Sequence, residues 1–215
     1  MCGRFTLTKD EDIIEYRFSR KTSERIIPHY NIAPSMKVLT ITQEKPAIIS
    51  KNSWGWSSQF KNQSQFVINA RAETVFDKVM FYKSIHHHRC LIIADGYYEW
   101  KNKAYGKQPY YIRLQSEELF CFAGIFHPKT QSVVILTSDS QGLMRDLHAR
   151  IPVILHEEAE YDWLRNDLKE SDIQTLINNS NMNMKFHPVS MAVNQNSVNN
   201  SLLIKEIPEQ AELFD

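Results

Sequence analysis

Cysteine is scarce in this chain of 215 residues, with three in all, at positions 2, 90 and 121. That is too few and too scattered for a disulfide framework or a CxxC metal site, so a reducing compartment is the expected setting. Net charge is lacking as well. Lys plus Arg and Asp plus Glu number 25 each, which leaves no global electrostatic pull toward nucleic acid or membrane; any such contact must come from a local patch. No apolar run approaches the roughly 18 residues of a membrane span, and no basic-then-apolar leader opens the sequence. The expectation is a cytoplasmic protein with no membrane partner. Internal repeats and linkers rich in Pro, Gly or Ser are missing too, so residues 1–215 read as a single domain. What is present, 42% hydrophobic and 11% aromatic residues, is the composition of a globular protein with a sizeable core.

Along the chain, "TKDEDIIEYRF" predicts a short helix capped by Thr8, with Ile13, Ile14 and Phe18 as its apolar residues. "MKVLTIT" and "KPAIIS" flank "QE" and read as paired strands, whereas "AETVFDKVM" predicts a helix with Val75, Val79 and Met80 on one side. The runs "RCLIIAD", "YYEW", "PYYIRL", "LFCFAGIF" and "SVVILTS" alternate with turn-rich pieces, the mark of an antiparallel meander. "IPVIL" is a further strand, followed by the amphipathic "EEAEYDWLRNDL" and a second helix near 171–178. "KFHPVS" and "LLIKEIP" are expected to return to the sheet, "NNSNMN" to form a loop, and the acidic tail to fray. Strands in runs with helices at the edges argue for α+β and against alternating α/β.

Four polar clusters stand out: Cys2 with Gly3 and Arg4, Asn69 and Arg71 in "NARAE", Glu99 in "DGYYEW", and His148 with Arg150 in "LHARIPVIL". Each also has a plain reading. A lone cysteine is usually a small buried hydrophobe. A strand Glu among aromatics is usually paired with an Arg, a lone His is usually structural, and an Asn before a helix is usually its cap. "IHHHR" reads as a solvated loop, since no periodic spacing or acidic partner supports a metal site. No cofactor or metal is expected.

Cys2 differs because its position is special. Aminopeptidase removal of Met1 before a small residue would leave a free α-amine and a thiol on adjacent carbons. The amine has an ordinary pKa of about 7.7–8.0 and the thiol about 8.5. Roughly a tenth of the amines are therefore nucleophilic near neutral pH. An amine condenses with an aldehyde to an imine, and the neighbouring thiol then closes a five-membered thiazolidine. Such closure draws on effective molarities on the order of 10⁵ M or more. The ring-opened sugar of an abasic site in DNA is one such aldehyde; the chemistry alone does not single it out.

"MCGRF", "YNIAPS", "WGW", "INARAET", "RCLIIADGYYEW", "FAGIF", "ILTSDS", "HARIPVIL" and "HPVS" together resemble the SRAP family (SOS response-associated peptidase) in content and order, over residues 2–193. The resemblance implies a mainly antiparallel, strongly twisted sheet folded into a pseudo-barrel with peripheral helices. The core would run over 2–193, with a C-terminal strand and short tail to 215. It also implies a DNA-damage enzyme that shields abasic sites in single-stranded DNA by a covalent cross-link, acting as a monomer and associated with the nucleoid when engaged. In that reading Cys2 is the nucleophile, and Asn69 holds the amine or the opened sugar. Glu99 is the acid–base residue of ring opening, and His148 polarises the sugar oxygen. Arg4 and Arg71 contact phosphate, a task suited to their bidentate forks. Trp54 is either a stacking platform for flanking nucleotides or a core tryptophan. The family name adds self-cleavage before the cysteine, and lyase-type chemistry at the abasic site is a further expectation.

Three departures from the family pattern stand in the text: "WGWSSQF" and "CLIIADG" each lack a proline, and Ala149 follows His148 where an Asp is usual. Two other classes remain. One is an N-terminal-nucleophile amidohydrolase or peptidase, since class II glutamine amidotransferases also begin "MCG". The other is a non-catalytic single-stranded DNA-binding module in which Cys2 is incidental.

Overall fold

The computed structural model describes residues 2–208 apart from 23, 61, 62, 105 and 181. The N-terminal part contributes strand β1 (Phe5–Leu7), helix α1 (Glu11–Phe18), and strands β2 (Lys21–Thr22), β3 (His29–Ile32), β4 (Lys37–Thr42) and β5 (Lys45–Trp54). The hairpin β6 (Trp56–Phe60) and β7 (Gln63–Val67) follows, then β8 (Asn69–Arg71) and α2 (Val79–His87). The central meander comprises β9 (Arg89–Ala94), β10 (Gly96–Lys103), β11 (Gly106–Leu114), β12 (Phe120–His127) and β13 (Ser132–Asp139). The last part holds β14 (Arg150–Pro152), β15 (Ile154–Leu155), α3 (Glu157–Trp163), α4 (Glu170–Asn178) and β16 (Met184–Pro188).

Two sheets carry the molecule. One has the order β16-β11-β10-β1-β3; the other runs β14-β13-β12-β9-β4-β5-β2, and a further pairing of β13 with β5 closes β13, β12, β9, β4 and β5 into a ring. Most pairings are antiparallel, and the parallel ones are β8 and β5 on β13 and β2 on β5. This is the α+β, mainly antiparallel architecture the sequence implies, with its helices outside the ring-like sheet.

The ring explains the sequence pattern. Every residue of β9, "RCLIIA", is buried, so the strand reads as a continuous apolar run with no polar alternation. Its one charged member, Arg89, is fully buried. It donates from Nε to the carbonyl of Trp163 at 2.8 Å, from Nη1 to the carbonyls of Ile85 and His86 at 2.8 Å each, and from Nη2 to that of Arg165. Those carbonyls lie at or just beyond the C-terminal ends of α2 and α3, where a helix has no N–H donors of its own to offer them. One guanidinium thus ties both helices to the ring.

Several local expectations need correction. Asp10, not Thr8, is the N-cap of α1, because Thr8 is engaged elsewhere: its N–H and hydroxyl both donate to Asp95 Oδ2 at 2.6 Å. Asp95 also accepts from Thr6 Oγ1 at 2.5 Å and so fastens β1 to the β9–β10 junction. The predicted helix over "AETVFDKVM" is a 3₁₀ turn at Ala72–Thr74 followed by a later start of α2 at Val79. The buried residues are Phe81, Ser84 and Ile85, while Val79 is 94% exposed. That helix runs through His87, so "IHHH" is a last helical turn instead of a loop. "IPVIL" splits in two: Val153 donates to Leu136 O at 2.9 Å and accepts from Ala123 N at 2.8 Å, moving the chain from β13 to β12. "LLIKEIP" forms no strand among the described residues: Ser201–Ile204 form a 3₁₀ turn in which Asn200 Oδ1 caps the Leu202 N–H at 3.0 Å, and the chain returns to the sheet edge only through the Ile207 N–H, which donates to Pro188 O of β16 at 3.0 Å. The acidic tail beyond 208 lies outside the described residues.

Candidate active site

Four distant segments converge at one end of β1. Cys2 lies just ahead of that strand and is fully buried. Its carbonyl accepts a hydrogen bond from Asn69 Nδ2 at 2.9 Å. Asn69 is a strand residue of β8, in parallel register with Ile135 of β13, and not the helix cap its sequence context suggests. Its Oδ1 is buried with no hydrogen-bond partner among the described residues. An acceptor in that state favours an N–H or O–H donor at the site, since leaving it unpaired costs about 1–3 kcal/mol.

Glu99 sits in β10 opposite Tyr110 of β11 and is 2% exposed. Burial pushes its carboxyl up to about 7. The Cys2 thiol is raised well above its ordinary range, by burial first and then by the charge of Glu99, so the two groups are within electrostatic reach. His148 follows a 3₁₀ turn at Gly142–Asp146. Its carbonyl accepts from Ser140 Oγ at 2.6 Å, and its Nδ1 lies 3.1 Å from both the N and the O of Arg150. Burial, then neighbouring positive charge that includes Lys107 and Arg150, lowers its pKa, so the imidazole is neutral at physiological pH. Arg150 is itself fixed, by Glu73 at 2.9 Å and Asp139 at 2.7 Å.

Two openings reach this centre. Glu99 and His148 line one of about 410 Å³ together with Trp100, Lys107, Met191 and Asn194. Asn69 and Arg71 line the other, an apolar groove of about 1100 Å³ whose walls include Trp56, Met80, Phe81 and His127. Cys2 meets the first through Glu99 and the second through Asn69.

The remaining candidates divide. Arg4 donates from Nη2 to Asn196 Oδ1, and its buried Nη1 has no acceptor among the described residues. Arg71 is exposed at the end of β8. Trp54 is not a stacking platform: it is fully buried, packs edge-on to Phe5 at 5.1 Å, and donates from Nε1 to Ile68 O at 3.0 Å. The core tryptophan is the correct alternative.

Sequence reasoning missed three features. Trp56 lines the groove and contacts Phe81 and His127, each at 5.4 Å; "WGW" drew attention to its first tryptophan only. Lys107 was overlooked in a turn-rich stretch. The third is the asparagine-rich segment 194–200. In it Asn194 accepts from Trp100 Nε1 at 2.9 Å and Asn199 from the Tyr30 N–H at 2.7 Å. Asn31 Nδ2 holds the same segment by donating to the carbonyls of Val193, Gln195 and Val198 at 3.2, 3.0 and 3.0 Å. The density of asparagine in "AVNQNSVNN" was the available signal.

The family model described as SOS response associated peptidase (SRAP) matches residues 1–196. The chain belongs to the SRAP family. It is 36% identical over 223 residues to a Bacillus subtilis protein named abasic site processing protein YoqW, covering 95% of this chain and 99% of the relative. It is 29% identical to Escherichia coli abasic site processing protein YedK, covering 90% and 94% of the two chains. A crystal structure of a Bacteroides thetaiotaomicron protein shares the fold, with a TM-score of 0.82 and 22% identity over 96% of this chain and 100% of that one.

Within the SRAP pattern, the departures have local solutions here. With Ala at 149, the histidine of this SRAP chain is steadied by Ser140 and by the Arg150 backbone. In "WGWSSQF", Gly55 takes φ +119° and the Phe66 ring occupies the space a Cβ would need. The hairpin that follows is regular, with Trp56 opposite Val67. "CLIIADG" continues β9 without interruption as far as Ala94.

Proposed function

We propose that this protein processes abasic sites in single-stranded DNA by forming a covalent thiazolidine cross-link through Cys2 once Met1 has been removed. The observation that carries the reading is the joint placement of a Cys2 main chain held by Asn69, a buried carboxyl with a pKa of about 7, and a neutral imidazole. Family membership and relatives named as abasic site processing proteins support the choice of substrate.

The chemistry divides among these groups. A carboxyl near pKa 7 is present in both forms at neutral pH, so Glu99 can take the proton of the C1′ hydroxyl as the closed sugar opens. The protonated Glu99 carboxyl returns that proton to the ring oxygen, which becomes the C4′ hydroxyl, while the N–H of the neutral His148 hydrogen-bonds the same oxygen and steadies it. The Cys2 amine then attacks the aldehyde, and one water leaves as the imine forms. Asn69, with its amide on the Cys2 carbonyl and its Oδ1 available to an amine hydrogen, fixes the direction of attack. The thiol, protonated in this environment, gives its proton to Glu99 as sulfur adds to the imine carbon, and the imine nitrogen is protonated in turn. No atom is lost in that second step.

Mass spectrometry after incubation of the Met1-free protein with abasic single-stranded DNA tests the reading. The expected product is protein plus oligonucleotide minus one water, stable to base and mapped to Cys2. Non-covalent complexes alone, or an adduct on a lysine, would overturn it.

A further inference from the structure

Some of the cations on this molecule are already matched to a carboxylate. Lys21 pairs with Glu15, Lys51 with Glu24, Lys185 with Glu117, Arg17 with Glu160, Arg150 with Glu73 and Arg165 with Asp167. In a chain of zero formal charge, anion binding requires cations left over from such pairing. Lys107 is one. It is exposed at the start of β11, makes no ion pair among the described residues, and lines the same opening as Glu99 and His148. Its charge is felt by His148 across that opening. Among the described residues the only carboxyl in the lining is Glu99, which is buried beneath it and whose pKa burial raises to about 7.

The rim next to Lys107 is built in the same sense. The segment that lays Asn194 on Trp100 also carries Asn196 on the Arg4 guanidinium, and a neutral amide leaves that positive charge uncompensated. Met191, 51% exposed, and Trp100 supply an apolar floor. The volume of about 410 Å³ falls within the roughly 300–1,000 Å³ of small-ligand clefts. Arg71 faces the other opening, on the far side of Asn69.

We propose that the opening over Glu99 and His148 is a second phosphodiester-binding site, with Lys107 as its point charge and Arg4, held by Asn196, at its edge. The strand on one side of the captured sugar leaves through this opening and on the other side through the groove at Arg71, so the sugar is bracketed by two separately bound phosphates. This rests on the reading of single-stranded DNA as substrate. A lysine suits the role because an ammonium binds phosphate as a point charge without demanding a fixed fork geometry.

The test uses a single-stranded oligonucleotide with a tetrahydrofuran residue, which has no aldehyde and so reports binding apart from chemistry. Lys107→Met is expected to weaken binding at least about fivefold and to reduce the salt slope by about 0.7, one phosphate on a single strand. Lys107→Arg should restore both, whereas Lys45→Met, at an exposed position that lines neither opening, should change neither. A neutral methylphosphonate linkage is then placed on either side of the tetrahydrofuran residue in turn. Wild type should lose affinity at both positions, Lys107→Met at one only, and Arg71→Ala at the other only. If Lys107→Met keeps the wild-type slope, or stays sensitive to both neutral linkages, the second site is wrong. Failure of wild type to cross-link true abasic DNA would instead sink the proposed reaction, and the binding arm would still decide the role of Lys107.

Discussion

Glu99 is where stability and chemistry conflict most directly. Its carboxyl has a pKa of about 7 because burial penalises the charged form. In the unfolded chain it would titrate near 4.5, the ordinary value. Between those two values the folded state holds the proton and the unfolded state does not. The contribution is therefore fully present below the unfolded pKa and is lost as pH rises toward and through 7. The full span corresponds to about 3 kcal/mol. Glu99→Gln cannot ionise, so its stability curve should lack this fall. Denaturant melts at pH 4.5 should show the variant near wild type, and at pH 8 the variant should be the more stable. Equal pH dependence in both would mean the carboxyl is not buried as a charge. The same substitution should slow cross-linking by about 10²-fold or more, the usual weight of a general acid–base group, while binding to tetrahydrofuran DNA stays near wild type. Cys2→Ser makes the complementary cut. It keeps the amine but closes an oxazolidine less favourably, so heat-stable adduct should be largely lost and strand nicking by β-elimination should appear. Serine giving as much heat-stable adduct as wild type would remove sulfur from the mechanism.

At the scale of elements, the segment carrying Asn194 and Asn196 depends on one buried side chain. Asn31 is fully buried in β3, and its amide donates to three carbonyls of that segment. Asn31→Ala leaves those carbonyls without their donor, at a cost on the order of 2–3 kcal/mol. The expected result is a lower Tm with faster amide exchange concentrated in 191–200, and weaker DNA binding because the rim around Arg4 loosens. Uniform exchange across the chain would instead make Asn31 a general core residue. None of this was legible beforehand. Asparagine is common in irregular loops, and nothing local says which one reaches a buried carbonyl 160 residues away. The β9–β13 meander was legible, since its strands are apolar runs between turn signals and need no distant partner to be recognised. Between these extremes lies α2. Its apolar residues continue from Val75 to Ile85, which blurs a start that the 3₁₀ turn at Ala72–Thr74 displaces. Cys2, Asn69, Glu99 and His148 were found through chemistry and family resemblance, whereas Lys107 needed the cavity to be seen.

For the whole molecule, the two sheets together turn four distant segments into one centre. Cys2 precedes β1, which pairs with the strand that carries Glu99. Asn69 rides on β13, and β13 also pairs with the strand that begins at Arg150, two residues after His148. Asn69 and His148 therefore hang on the ring, whereas Cys2 and Glu99 hang on the five-stranded sheet, and the centre forms where the two sheets meet. Such an arrangement should fail as a unit instead of residue by residue. Arg89 offers a way to test this from outside the site. Its guanidinium ties the ends of α2 and α3 to β9, and it lines neither opening to the centre. Arg89→Met leaves its acceptor carbonyls without a donor and should cost at least about 3 kcal/mol, a fall in Tm of roughly 10 °C for a domain of this size. Below its own transition the variant should cross-link at the wild-type rate per folded molecule, and activity should vanish together with the near-ultraviolet circular dichroism signal on heating. A slower rate well below the transition would show that the outer helices set the geometry of the centre, and the two sheets could not then be its sole support.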